Sequence, residues 1–273
     1  MSRAGRALAR AGAAALLVAI VLPTLWAAVA SLTPEERLFG SPSPPSRAPV
    51  LEHYRALFEQ RRFWIPIRNS LVVAGATTAL CVGLGSICAY ALARLRFRGR
   101  ALVLGSILAV SMFPQIAIVP PLYLLLRGLR LINTYPGLVL PYLTFALPLT
   151  VWLLVGYFRQ LPPEIEEAAL VDGATRLEVF WHVVLPLALP GLATTAILTF
   201  IYCWNEFLFA MSFTLGPERQ TVPVAVALFR GQYRVPWGEI LAAAVVASAP
   251  VAALVFLFQR RIVQGLTSGA VRG

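Results

Sequence analysis

Six stretches of this chain, residues 11–30, 69–93, 101–126, 131–158, 190–211 and 240–259, run for about 20 residues or more with no charged side chain except Glu206 in the fifth. A helix of that length crosses a hydrocarbon core about 30 Å thick and satisfies its own backbone hydrogen bonds there. Composition agrees: 59% of residues are hydrophobic and 13% charged, against about 45–50% and 25% in soluble domains. The expected fold class is therefore all-α, a polytopic membrane protein with six transmembrane helices.

The charges exclude several chemistries. Every one of the 23 basic residues is Arg, and the 12 acids are all Glu except Asp172. Without Lys the chain has no P-loop amine to hold nucleotide phosphates, so any ATP energy has to come from another subunit. No catalytic residue is expected. His53, His182, Cys81, Cys88 and Cys203 are scattered without ligand spacing, so no metal site is expected either. The net charge of +11 comes from arginines flanking the apolar runs. That is the pattern of membrane anchors and does not suggest a partner nucleic acid.

Six spans place both termini on one side. Arg totals on the two faces are nearly equal, but the short 94–100 connection carries four Arg and no acid, and Arg3, Arg6 and Arg10 precede the first span. Both features put the termini in the cytoplasm. The alternative for residues 1–30 is a cleaved signal ending at Ala28-Val29-Ala30. Residues 1–68 read as an N-terminal helix plus an exterior segment, and 69–273 as the core. Within the exterior segment, residues 51–58 suit a short amphipathic helix, with His53 as a surface residue. Prolines inside the spans, Pro114 among them, predict kinks.

The interior stretch between the fourth and fifth spans has helix punctuation throughout. Pro163 suits a first helical position, and Glu164, Glu166 and Glu167 oppose the N-terminal dipole. Gly173 supplies a left-handed stop. Thr175 with Glu178 has capping-box spacing for a second helix. The pattern predicts helix, elbow, helix over 163–178, with Ile165, Ala168 and Ala169 as one narrow apolar stripe.

Glu167-Ala168-Ala169, three residues, Gly173, nine residues, Val183, one residue and then Leu185-Pro186 resembles the EAA signature of membrane subunits from bacterial binding-protein-dependent ABC importers. Val183 stands where Ile is usual. The resemblance implies an ABC importer permease fold and a coupling helix that docks on a separate ATP-hydrolysing subunit. Glu167 would pair with a basic group there, Ala168 and Ala169 would make the close contact, and Asp172 and Gly173 would lie at the elbow. Leu185 and Pro186 would set the entry to the fifth span. ATP and Mg would sit on the partner, with no cofactor on this chain.

Further stretches resemble the shorter, six-span subunit of carbohydrate importers of the maltose and trehalose type: Trp204-Asn205-Glu206-Phe207, Thr221 to Val224, Gly231 to Tyr233, Trp237-Gly238 and the ending 259–273. The implied partners are a second permease subunit in a heterodimer, two ATP-binding subunits, an extracytoplasmic solute-binding protein and the sugar itself. Trehalose and maltose-like α-glucosides are the best-matching solutes.

Glu206 is costly within an apolar span, about 2.5–3.5 kcal/mol on insertion scales. With Tyr202, Trp204 and Asn205 it forms a candidate substrate pathway; an interhelical hydrogen bond near the outer interface and lipid-interface anchoring by the aromatics are the other readings. Arg230, Tyr233, Arg234 and Trp237 are candidate contacts for the binding protein. Two alternatives stay open: an ion-coupled secondary transporter with Glu206 as its coupling acid, and an ABC permease for a non-sugar solute.

Overall fold

The computed structural model describes residues 3–38, 49–229 and 235–267. In chain order its helices are α1 (Arg3–Ala30), α2 (Glu35–Leu38), α3 (Glu52–Glu59), α4 (Trp64–Arg94), α5 (Arg100–Ser111), α6 (Gln115–Gly128), α7 (Tyr135–Phe158), α8 (Pro163–Val171) and α9 (Arg176–Val179). A π-helical turn (Phe180–Val184) follows, then α10 (Leu185–Leu187), α11 (Leu189–Trp204), α12 (Leu208–Phe213), α13 (Val222–Ala227) and α14 (Trp237–Thr267). Every regular element among the described residues is helical, as the apolar runs require.

The spans differ in one respect from the expected six. Four of the helices, α1, α4, α7 and α14, are singly long and apolar enough to cross a bilayer. Two others are broken, with α5 and α6 meeting at 90° and the α9–α10 stretch meeting α11 at 75°. The third expected span is thus not one helix. Pro114, extended at φ −62° and ψ 115°, stands at the start of α6. It offers no N–H, and its ring blocks the preceding turn, so the chain closes α5 with tight bonds from Met112 and Phe113 to Ala109 and Val110 and changes direction. The fifth expected run is also interrupted, between Trp204 and Leu208.

The chain divides into two compact units. The first holds the residues up to Trp64 together with Ala225–Pro250. Here α3 buries Leu57 and His53. His53 is therefore not a surface residue: its Nε2 lies 3.0 Å from the Thr33 carbonyl, and its ring lies where a Cβ on Gly238 would come within 2.2 Å. Glu35 accepts the Trp237 and Gly238 N–H groups, both at 2.9 Å. It thereby satisfies the orphan donors at the start of α14 and opposes the helix dipole.

The second unit holds Ile65–Val224 and the chain from Val251 on. One apolar cluster joins Val73, Cys81, Tyr142, Phe145 and Phe209. The other joins Tyr90, Leu154, Phe158, Val179, Phe180 and Val184. Between α7 and α11 the Thr150 and Thr199 hydroxyls pair at 2.9 Å, with Thr150 also bonded to the Ala146 carbonyl. Buried Asn69 fastens the turn before α13. Its amide donates to the Glu218 and Gln220 carbonyls at 2.9 Å and accepts from the Tyr135 hydroxyl at 2.8 Å.

Candidate coupling site

The segment from Pro163 to Ala188 is shaped mostly by local punctuation. Pro163 opens α8, with Glu164 and Glu166 in its first turn. The helix closes as Asp172 donates to Ala168 at 3.0 Å, Gly173 to Leu170 at 3.1 Å and Ala174 to Ala169 at 3.1 Å. Gly173 takes φ +91°, and a Cβ there would meet open space. The sign of φ alone therefore selects glycine, since a left-handed backbone costs any other L-residue about 1–2 kcal/mol.

The expected capping box is present. Glu178 N–H donates to Thr175 Oγ1 at 3.3 Å, and Glu178 Oε2 accepts from Thr175 N–H at 2.7 Å and from the Thr175 hydroxyl at 2.8 Å. These donors, the backbone one first, hold the exposed Glu178 carboxyl below its usual range. Beyond α9 the π-helical turn adds a local bulge, a feature frequent at functional sites. Leu185, half-buried, and Pro186, exposed, then lead to the bend before α11.

The faces of α8 are divided sharply. Ile165, Glu167, Ala168 and Asp172 are exposed, and Val171 is 87% exposed. Leu177 and Trp181 carry the exposed apolar surface past the elbow. Ala169 departs from the expected stripe: it is half-buried with Leu170 against the second apolar cluster. A free face that is apolar at its centre and acidic at Glu167 suits docking on a partner with a basic rim.

Glu166, read from sequence only as dipole charge, is buried. Its Oε1 lies 2.8 Å from Arg94 Nε at the end of α4 as an ion pair out of hydrogen-bond alignment, and its Oε2 accepts from the Tyr90 hydroxyl at 3.3 Å. Beside this pair is an open cleft of about 680 Å³ lined by Arg96, Arg100, Arg176 and Glu167 among others. Glu166 and Arg94 lie far apart in sequence, and no local spacing signals their pairing.

The candidate pathway residues are not gathered on one surface. Trp204 is buried and stacks on Phe200 at 5.7 Å between centroids. Asn205 is exposed and donates to the Ile201 carbonyl at 2.8 Å. Glu206 accepts the Phe209 and Ala210 N–H groups at 2.7 and 3.1 Å, so its carboxylate caps α12. Tyr202 borders a pocket of about 210 Å³ with Phe145 and Trp152, and its hydroxyl accepts from Gln115 at 2.9 Å. Trp237 is 45% exposed. Arg230, Tyr233 and Arg234 lie outside the described residues, as do the side chains from Arg260 onward.

The apolar helical chain and its capped helix–elbow–helix are what the importer-permease resemblance implies. The profile of the family described as "Binding-protein-dependent transport system inner membrane component" matches residues 81–268, and the chain belongs to that family. It is 45% identical to the trehalose transport system permease protein SugB of Mycobacterium tuberculosis, over 93% of each chain. It is 40% identical to the trehalose/maltose transport system permease protein MalG of Thermococcus litoralis, over 95% of each. The sulfoquinovosyl glycerol transport system permease protein SmoH of Agrobacterium fabrum is likewise 40% identical, over 98% of this chain and 95% of that one. The fold also matches a chain from the crystal structure of a bacterial ABC transporter involved in import of the acidic polysaccharide alginate. That match has a TM-score of 0.75 at 24% identity and covers 95% of this chain and 98% of the other.

Proposed function

We propose that this chain is a permease subunit of an ABC importer that moves a carbohydrate, a disaccharide or oligosaccharide such as trehalose or a maltose-like α-glucoside, across the bacterial cytoplasmic membrane. The observation that carries the reading is the exposed α8 face, ended by Gly173 and followed by the capped α9, in a chain whose relatives at 40–45% identity are named for sugars. ATP is hydrolysed on two partner subunits. Their closure pushes α8, and the movement passes through the π-helical turn into α11, switching the bundle between inward-facing and outward-facing states. A second permease subunit completes the pathway, and an extracytoplasmic binding protein delivers the sugar against the exterior surface that includes Trp237.

Both termini lie in the cytoplasm, residues 1–68 serve as an anchoring helix with an exterior segment, and 69–273 form the permease core. Tyr202, with its pocket and exposed hydroxyl, is the strongest of the four pathway residues for touching sugar. Family membership takes the place of the ion-coupled alternative, and Glu206 has a structural task at the start of α12.

Two experiments test the reading. Ala168→Cys should crosslink to a cysteine in the groove of the co-expressed ATPase, and absence of any such crosslink from a correctly inserted chain rejects the docking role. Proteoliposomes with the full complex and the binding protein should import labelled trehalose or maltose on ATP alone. Import of a non-sugar solute in place of both would reassign the substrate class.

A further inference from the structure

We propose that Arg94 and Glu166 form an internal clamp that makes α8 and the end of α4 move as one body, so that both are positioning residues for transport. The inference rests on the coupling reading above and adds to it the attachment through which α8 is held.

A helix as short as α8 is not stable by itself. It is continuous with α9 only through the Gly173 elbow, and its apolar attachment to the core is limited to the half-buried Ala169 and Leu170. Its other end follows α7 through the short turn 159–162, and a push on its exposed face would pivot it between that turn and the elbow unless its first turn were also tied to a second helix. Glu166 lies in the first turn, at the end far from Gly173. There the carboxylate meets Arg94 Nε at 2.8 Å, with the two side chains only 12% and 11% exposed.

The attachment is cross-braced. Arg94 Nη2 donates to the Leu161 carbonyl at 2.5 Å, in the turn that leads into α8. Tyr90, one helical turn before Arg94, donates its hydroxyl to Glu166 Oε2. The same Tyr90 ring packs 5.0 Å from Phe180 in the π-helical turn and meets Phe158 of α7 edge-on at 6.4 Å. One buried node thus joins α4, the end of α7, α8 and the turn leading to α11. Arg176 also faces Tyr90, while Arg96, Arg100 and Glu167 border the cleft outside the node. The exposed Arg55–Glu59 pair, at 4.0 Å with both side chains over 70% exposed, has no such enclosure, and pairs of that kind hold little. A desolvated pair that loses one member leaves a buried charge without a partner, so it resists opening under load.

The test uses the complete reconstituted transporter, with labelled trehalose, maltose and maltotriose offered in parallel. Spin labels at Glu164→Cys and Ala91→Cys, with the three native cysteines replaced, should report the same narrow distance with and without ATP. A distance in the parent protein that shifts by several ångströms on ATP binding shows that the two elements move separately and overturns the clamp. In Glu166→Gln and Arg94→Gln the distribution should broaden. The ATPase should still co-purify, and sugar imported per ATP hydrolysed should fall about tenfold.

Import per ATP unchanged in both variants also overturns the proposal. If neither variant assembles, Tyr90→Phe and Arg94→Lys, which remove single bonds, should each lower import per ATP at least about twofold; no change in either would count against the clamp. Gly173→Val separates the two levels. If it too leaves import per ATP unchanged, the coupling reading itself fails; if it lowers the ratio while the Glu166 and Arg94 variants do not, only the clamp falls.

Discussion

Gly173 and Asn69 show how differently single residues can matter in a membrane chain. At Gly173 the backbone is left-handed and the space around it open. Gly173→Ala should therefore insert normally and cost only about 1–2 kcal/mol of local strain, spent in distorting the elbow. Import per ATP, measured in proteoliposomes, should drop while expression stays level. Asn69 is the opposite case, a fully buried amide with four partners: the Glu218 and Gln220 carbonyls, the Tyr135 hydroxyl and, at 3.4 Å, the Arg68 guanidinium. Asn69→Ala leaves those groups unsatisfied and should destabilise the fold by about 2–3 kcal/mol, read as earlier thermal unfolding in detergent. The sequence made Gly173 legible because its signal is local, with a helix pattern before it and a capping pair after it. Glu166 was not legible as a buried group, because its partners Arg94 and Tyr90 lie on another helix. His53 was misplaced for the same reason: what covers it is the backbone of Gly238, in a helix near the other end of the chain.

Among elements, the short helices at the coupling segment were predicted by their ends, and the long spans by their apolar length. Both kinds of signal depend on residues a few positions apart. Thr175→Ala removes one half of the capping box and should destabilise α9 by about 1 kcal/mol, visible as faster amide exchange over α9 with little change elsewhere. The Glu178 half depends on pH. Its pKa is lowered in the folded protein by the Thr175 donors, so its contribution is present above the unfolded carboxyl value and disappears as pH falls through the depressed one. The protection factor over α9, taken against the intrinsic exchange rate at each pH, should therefore fall on acidification, and Glu178→Gln should abolish that fall. The break at Pro114 was flagged as a kink, but its 90° bend was not. A proline marks where helical bonding fails, whereas the angle depends on what the next helix packs against: Leu126 in α6 is 1% exposed, within the first apolar cluster.

At the scale of the whole molecule the proposed function depends on which way the chain is threaded, and a single helix can report it. The 31 residues of α4 at 1.5 Å each span about 46 Å, more than the hydrocarbon core requires. The ends of α4 must therefore emerge on opposite sides. Gln60, just before it, and Arg98, just after it, are both exposed. If the Arg-rich connection faces the cytoplasm, an impermeant maleimide added to intact cells should label Gln60→Cys and spare Arg98→Cys, and inverted vesicles should show the reverse. Cys81 and Cys203 are buried and Cys88 is half-buried, so replacing Cys88 suffices to lower the background. The same threading carries α8 to the side of Arg98, because Arg94 and Glu166 are in contact. Labelling of Arg98→Cys from outside would place the docking face away from ATP, and no ATP-driven push could reach it.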